Sequence, residues 1–224
     1  MSTYKALRKN PSAAQAGESL LAALREMPVA ALSDNMHRNI GTVGLHPYHR
    51  PAKQTMAGTA VTARSRRGDN LTYLRALEFC RPGDVLVIDG GGDLDNAAVG
   101  GILSFYAASI GVVGLVIDGA IRDVAEIRER DFPVYARGVT HRGPYKDGPG
   151  EINVPVSVGG MVVNPGDIVV GDQDGLLAIP PADVEAVLDG ARQTLVNEAN
   201  TMRAMKEGRW DRSFIDTLEA RCNN

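Results

Sequence analysis

An α/β fold is predicted by three features of this 224-residue chain. Two short β-branched runs, Val85-Leu86-Val87-Ile88 and Gly114-Leu115-Val116-Ile117, are continuously apolar, as expected of strands covered on both faces. Helical patterns stand between and around them at 71–80, 102–110 and 124–130, which gives strand–loop–helix units. From Asn153 onward the signature changes to short strand runs separated by tight turns at 164–167 and 172–175, an antiparallel β segment.

Taken in order, residues 1–12 read as a loose arm. Residues 14–27 carry Leu20, Leu21 and Leu24 at helical spacing, and Pro28 interrupts the pattern. Ser33-Asp34-Asn35 is a cap or turn cluster. His46 and His49 are three apart, but Gly44 and Pro47 place them in a loop, where they read as surface histidines rather than a metal pair. A strand is expected over 56–64. Asp69-Asn70 forms a helix N-cap for 71–80. Arg66 and Arg67 read as solvated or inter-subunit groups. Arg81-Pro82-Gly83 turns the chain into the first buried strand, which is expected to end in the glycine cluster Asp89-Gly90-Gly91-Gly92-Asp93. The spacing there fits neither GxxxxGK[ST] nor GxGxxG with a distant acid, which argues against nucleotide binding. Gly100-Gly101 opens a small-residue helix whose free N–H groups, through Ile102 and Leu103, suit a small anion such as a carboxylate. Gly111 stops it. After the strand at 114–117, Asp118-Gly119 reads as a turn. Arg122-Asp123 then falls just past the carboxyl end of a buried strand, where open α/β sheets bind ligands. The segment 140–151 is a Gly/Pro-rich loop with His141, Arg142 and Lys146, of the kind that carries function. Asp167, Asp172 and Asp174 lack EF-hand spacing and are read as turn residues. Pro181-Ala182 starts a last long helix to about residue 207, with Gly208 as its stop. Trp210, Phe214, Ile215 and Leu218 give the tail an apolar set suited to docking on the body or on another subunit.

Composition narrows the function classes. A net charge of -3 argues against nucleic acid as a main partner. Cys80 and Cys222 make no disulfide framework, and a reducing cytoplasm suits both. No apolar run reaches membrane-spanning length and the N-terminus lacks a signal-peptide core, so a cytoplasmic location without membrane contact is expected.

The motifs together resemble the RraA-like family, over roughly residues 28–208: GTAVT at 58–62, GDN at 68–70, PGDVLVID at 82–89, AAVGGIL at 97–103, GLVIDGAIRD at 114–123 and NPGDIVVGDQDG at 164–175. That family includes class II pyruvate aldolases acting on 4-hydroxy-4-methyl-2-oxoglutarate and 4-carboxy-4-hydroxy-2-oxoadipate. It also includes RraA proteins that bind and inhibit a ribonuclease, so a non-catalytic regulator is the alternative. A methyltransferase label is sometimes attached to the family, but no nucleotide-binding fingerprint supports it here.

The resemblance implies one domain over 1–224, a swivelling-domain-type fold with a β-barrel-like mixed sheet flanked by helices, and a homotrimer or hexamer with its site between subunits. It implies a lyase that releases pyruvate, with oxaloacetate decarboxylation as a second reaction. It assigns Arg122 to the substrate carboxylate and keto oxygen, Asp123 to Mg²⁺ or Mn²⁺, and the amides of Gly100, Gly101, Ile102 and Leu103 to the carboxylate. Asn70 and Lys146 fall at further pocket positions. Glu198, from a neighbouring subunit, is matched to an acid that reaches the metal through water. One departure stands out: the family pattern has an Asp, then twenty residues, then the Arg-Asp pair, and the position of that Asp is Gly101 here. Asp93 and Asp95 are the nearby acids in sequence that stand to compensate.

Overall fold

The computed structural model describes residues 7–38 and 40–222. Its elements run β1 (Leu7–Lys9), α1 (Glu18–Arg25), α2 (Val29–Asp34), β2 (His46–Pro47), β3 (Met56–Ser65), α3 (Leu71–Ala76) with a 3-10 turn Leu77–Phe79, β4 (Asp84–Val99), α4 (Gly101–Ser109) and β5 (Gly114–Ile121). They continue with α5 (Val124–Arg128), β6 (Val134–Val139), β7 (Gly150–Ile152), β8 (Val156–Val158), β9 (Met161–Val163), β10 (Ile168–Gly171), β11 (Leu176–Ile179), α6 (Val184–Lys206) and α7 (Ser213–Cys222).

A large mixed sheet flanked by helices results, in the order β1-β7-β3-β4-β5-β6-β2, with β10 and β11 branching from β3. Its centre is parallel: β3, β4, β5 and β6 pair in sequence. One edge of β3 is shared, antiparallel, between β10 at Met56–Thr59 and β7 at Ala63–Ser65. Alternation along β4 and β5 feeds two cores. Leu86, Ile88, Leu115 and Ile117 pack under α3, α4 and α5, while Val85, Val87 and Val116 face β8–β11. This two-sided burial is why these strands read as unbroken apolar runs. Each such side chain contributes about 1.5–3 kcal/mol on burial. A third cluster joins α1, α2 and α6 to the outer face of β10–β11.

Several expectations are corrected. The arm is not loose where it is described: β1 pairs parallel with β7, and residues 1–6 lie outside the described residues. The first helix is shorter than expected, because Gly17 caps it. The glycine cluster after residue 89 is not a loop. It lies inside β4, whose pairing with β5 shifts register between Asp89 and Asp93 and again before Ala97 and Val99, so the glycines are absorbed as irregularities. Asp118-Gly119 is likewise not a turn, since β5 continues to Ile121. His49 is not a surface histidine: it is buried, and its Nδ1 accepts the Val134 N–H at 3.2 Å. Asp167 and Asp172 do act as turn acceptors, Asp167 Oδ2 taking the Asn164 N–H at 2.7 Å and Asp172 Oδ1 the Asp174 N–H at 2.9 Å. No residue of α7 is buried, so the tail's apolar set does not dock on the body of its own chain.

Candidate active site

β4 and β5 end side by side, and both feed α-helical first turns. Arg122 follows β5 and donates its N–H to Val99 O, the last residue of β4, at 3.0 Å. Asp123 then takes a left-handed backbone conformation, φ 59° and ψ 35°, and becomes the N-cap of α5. Asp is among the few residues that tolerate this region. The twist turns its carboxylate back onto α4: Asp123 Oδ2 accepts the Gly101 N–H at 2.9 Å, and Arg122 Nε lies 3.7 Å from the same oxygen. The N–H groups of Ile102 and Leu103 have no acceptor among the described residues, as expected of a helix start.

These groups line a cleft of about 340 Å³ with Asn70, Leu74, Tyr106, Pro144 and Lys146. Lys146 reaches it because its loop is tied down. Tyr145 N–H donates to Gly68 O at 2.7 Å and Asn70 N–H returns a bond to Tyr145 O at 3.0 Å. Asp69, buried, accepts the Asp147 and Gly148 N–H groups at 2.6 and 2.9 Å and the Leu71 N–H at 3.0 Å. Asp69 was legible as a cap residue of α3; its hold on a loop nearly eighty residues away was not. Asn70 is 8% exposed and donates Nδ2 to Ala98 O at 3.2 Å, while its Oδ1 has no partner among the described residues.

The structure thus brings together Asn70, Gly100, Ile102, Leu103, Arg122, Asp123 and Lys146, with Gly101 buried directly behind. Glu198 is not among them. It lies exposed on α6, in a separate hollow with Asp34, Arg38 and Met202. Asp93 and Asp95 are also elsewhere: Asp93 accepts the Asn96 N–H at 3.1 Å and Asp95 faces Arg142 at 4.0 Å. Neither lines this cleft. Arg66 pairs with Asp147 in the 140–151 loop and Arg67 donates to Gly91 O of β4, so both are used within the chain.

Chemically, the cleft offers a guanidinium, an ammonium and helix N–H groups for an anion, next to a carboxylate of which one oxygen takes no hydrogen bond among the described residues. No helix among the described residues is long and apolar enough to cross a membrane.

Residues 29–178 match the family model described as RraA-like: Aldolase/RraA. A relative from Halalkalibacterium halodurans, named "Putative 4-hydroxy-4-methyl-2-oxoglutarate aldolase", is 36% identical over 195 residues, covering 86% of this chain and 91% of its own. Among solved structures, the RNA-processing inhibitor RraA from Thermus thermophilis is 35% identical with a TM-score of 0.62, covering 69% of this chain and 93% of its own. RraAS2 of Streptomyces coelicolor, a member of the RNase ES inhibitor RraA protein family, is 27% identical with a TM-score of 0.76, covering 84% and 98%.

Proposed function

The chain belongs to the RraA-like family, and from that premise we propose that it is a divalent-metal-dependent aldolase. It cleaves 4-hydroxy-2-keto dicarboxylic acids, of the 4-hydroxy-4-methyl-2-oxoglutarate type, to pyruvate and a second keto acid, and it decarboxylates oxaloacetate. The observation that carries this reading is the convergence of Arg122, Asp123 and the unsatisfied N–H groups of α4 in one cleft.

The donor chemistry fits Mg²⁺ or Mn²⁺. Asp123 supplies a hard carboxylate oxygen that takes no hydrogen bond among the described residues, and no group of three or more His, Cys, Asp or Glu converges there. Hard cations of this kind are held by one or two carboxylates and keep waters and substrate oxygens as their other ligands. Asp123 would hold the ion, which when bound supplies Lewis acidity where enolate charge develops.

The chain's own groups perform the rest. The Ile102 and Leu103 N–H groups receive the substrate carboxylate, and Arg122 adds a planar donor fork beside it. Breaking the C3–C4 bond sends its electron pair toward the C2 carbonyl as the 4-hydroxyl gives its proton to water in the cleft; C3 of the enolate then takes a proton to give pyruvate, and the fixed positive charge of Arg122 stands where the enolate charge collects. In oxaloacetate the same bond breaks with loss of carbon dioxide, so one site serves both reactions. Asn70 and Lys146 hold the distal end of the substrate. We also propose that the site lies between copies of a homo-oligomer, a trimer or hexamer: Glu198 is remote from the cleft within one chain and would join it only from a second copy.

Arg122→Lys tests the fork. It keeps the charge and loses the bidentate geometry, and we expect kcat/KM for oxaloacetate to fall at least tenfold. Unchanged kinetics would remove Arg122 from the site. A second reading, a non-catalytic RraA-like regulator binding a protein such as a ribonuclease, is favoured by Gly101 and by the unburied apolar face of α7. Metal-dependent turnover that needs Asp123 would contradict it.

A further inference from the structure

A second cavity, of about 290 Å³, opens at the opposite end of the parallel strands from the cleft, where β3 and β6 begin and β10 ends. The two share no lining residue. His49, Tyr135 and Asp172 line it, and the first two are buried, Tyr135 completely. The Tyr135 hydroxyl has no hydrogen-bond partner among the described residues. It lies beside Gly171, which is also in the cavity wall: a Cβ built there would stand 2.9 Å from Tyr135 Oη. Glycine keeps that space free of a side chain. A buried hydroxyl without a partner forfeits the hydrogen bonds it made in water, and a ligand oxygen placed there restores one.

The class of ligand follows from which groups are already engaged. Asp172 is spent on the backbone: Oδ2 accepts the Val29 N–H at 2.8 Å and Oδ1 the Asp174 N–H at 2.9 Å. His49 Nδ1 accepts the Val134 N–H at 3.2 Å, which leaves the proton of the neutral ring on Nε2. Nε2 has no partner among the described residues. Two donors therefore remain inside, Tyr135 O–H and His49 Nε2–H, on rings whose centroids are 5.1 Å apart. Burial, joined by the nearby Asp172 charge, holds the hydroxyl above its ordinary 10, so it stays a donor. The same charge disfavours an anion at that depth. At the mouth Lys53 and Asp174 are exposed and opposite in sign, so neither sign of ligand is selected there.

We propose that this cavity is a second ligand site, for a small uncharged molecule whose carbonyl oxygen accepts hydrogen bonds from Tyr135 and His49. It goes beyond the aldolase reading and does not depend on it.

The probe is N-methylacetamide, titrated into the full chain carrying isotope-labelled tyrosine and histidine, with the Tyr135 and His49 resonances followed by NMR. Both should shift and saturate. Tyr135→Phe keeps the ring and removes the donor, and the midpoint read at His49 should weaken roughly fivefold, the scale of one hydrogen bond. Sodium acetate should bind less tightly than the amide. Because the hydroxyl has no partner to lose, Tyr135→Phe should unfold at the same temperature as the unmodified chain when no probe is present. A lower unfolding temperature would show that the hydroxyl is already satisfied, by fixed water for example, and would overturn the proposal. So would a response that never saturates, a midpoint unchanged in Tyr135→Phe, or acetate that binds as tightly as the amide. Metal-dependent turnover at the cleft stands or falls separately from each of these results.

Discussion

Asp123 carries the site at the scale of single residues. Its left-handed backbone is what folds the carboxylate onto the α4 start while leaving Arg122 beside it. Such a conformation in a non-glycine residue costs on the order of 1–3 kcal/mol and is kept where surroundings over-determine it. Gly100 is the complement. Its backbone is ordinary, φ -139°, so alanine strains nothing there. A Cβ would nonetheless stand 2.5 Å from Asp123 Oδ2 and 3.0 Å from Arg122 Cγ. Gly100→Ala should therefore push the Arg-Asp pair aside and lower kcat about a hundredfold, the scale of a 1 Å misplacement, with little change in thermal unfolding. Equal kcat would show that the pair tolerates displacement. Arg122 and Asp123 were legible in the sequence because they sit at a strand end and match a family motif. The Glu126 carboxylate, which stands where a Cβ on Gly101 would go, was not, because that contact exists only once α4 and α5 lie side by side.

Among the elements, the parallel strands were legible and their ends were not. The runs at 85–88 and 114–117 announce two-sided burial, but glycine and aspartate after them look like punctuation. In β5, Gly119 instead accommodates a close strand neighbour, with Asp93 O 3.3 Å from where a Cβ would stand. Asp118 accepts the Arg137 Nε–H at 2.5 Å and the Gly159 N–H at 2.9 Å, so its carboxylate joins β6 to the β8–β9 hairpin rather than making a turn. Pairing partners far along the chain decide such cases, and local spacing does not show them. His49, misread as exposed, is packed edge-on against Tyr135 of β6, with ring centroids 5.1 Å apart. Burial pushes its imidazole below the ordinary 6.5, against the Val134 carbonyl, 3.4 Å from Nδ1, which pulls upward. The unfolded chain then binds this proton at higher pH than the folded one. The stability tied to the neutral ring is present above about 6.5 and is lost as pH falls through the lower folded value. The fall in unfolding temperature from pH 7.5 to pH 5 should be steeper in the unmodified protein than in His49→Gln; equal slopes would contradict this.

For the whole molecule, the tail and the cleft belong to one question. Helix α7 buries none of its residues, and Trp210, Phe214 and Leu218 are 39%, 50% and 51% exposed. Ile102 and Tyr106 on α4, which line the cleft, are 87% and 51% exposed. Apolar faces of this kind mark contacts with other chains. If copies of this chain cover them, Phe214→Glu with Leu218→Glu should lower the mass measured by light scattering toward that of one chain, 23.8 kDa, and an unchanged mass would assign the face elsewhere. The central claim concerns chemistry, and pyruvate release from 4-hydroxy-4-methyl-2-oxoglutarate, with and without Mg²⁺, tests it most directly when Asp123→Ala is run beside the unmodified protein. The account predicts Mg²⁺-dependent release that the substitution lowers by at least a thousandfold, the scale on which removal of a central charge-stabilising group acts. Release that is equal in the two proteins, or absent from both, would contradict it.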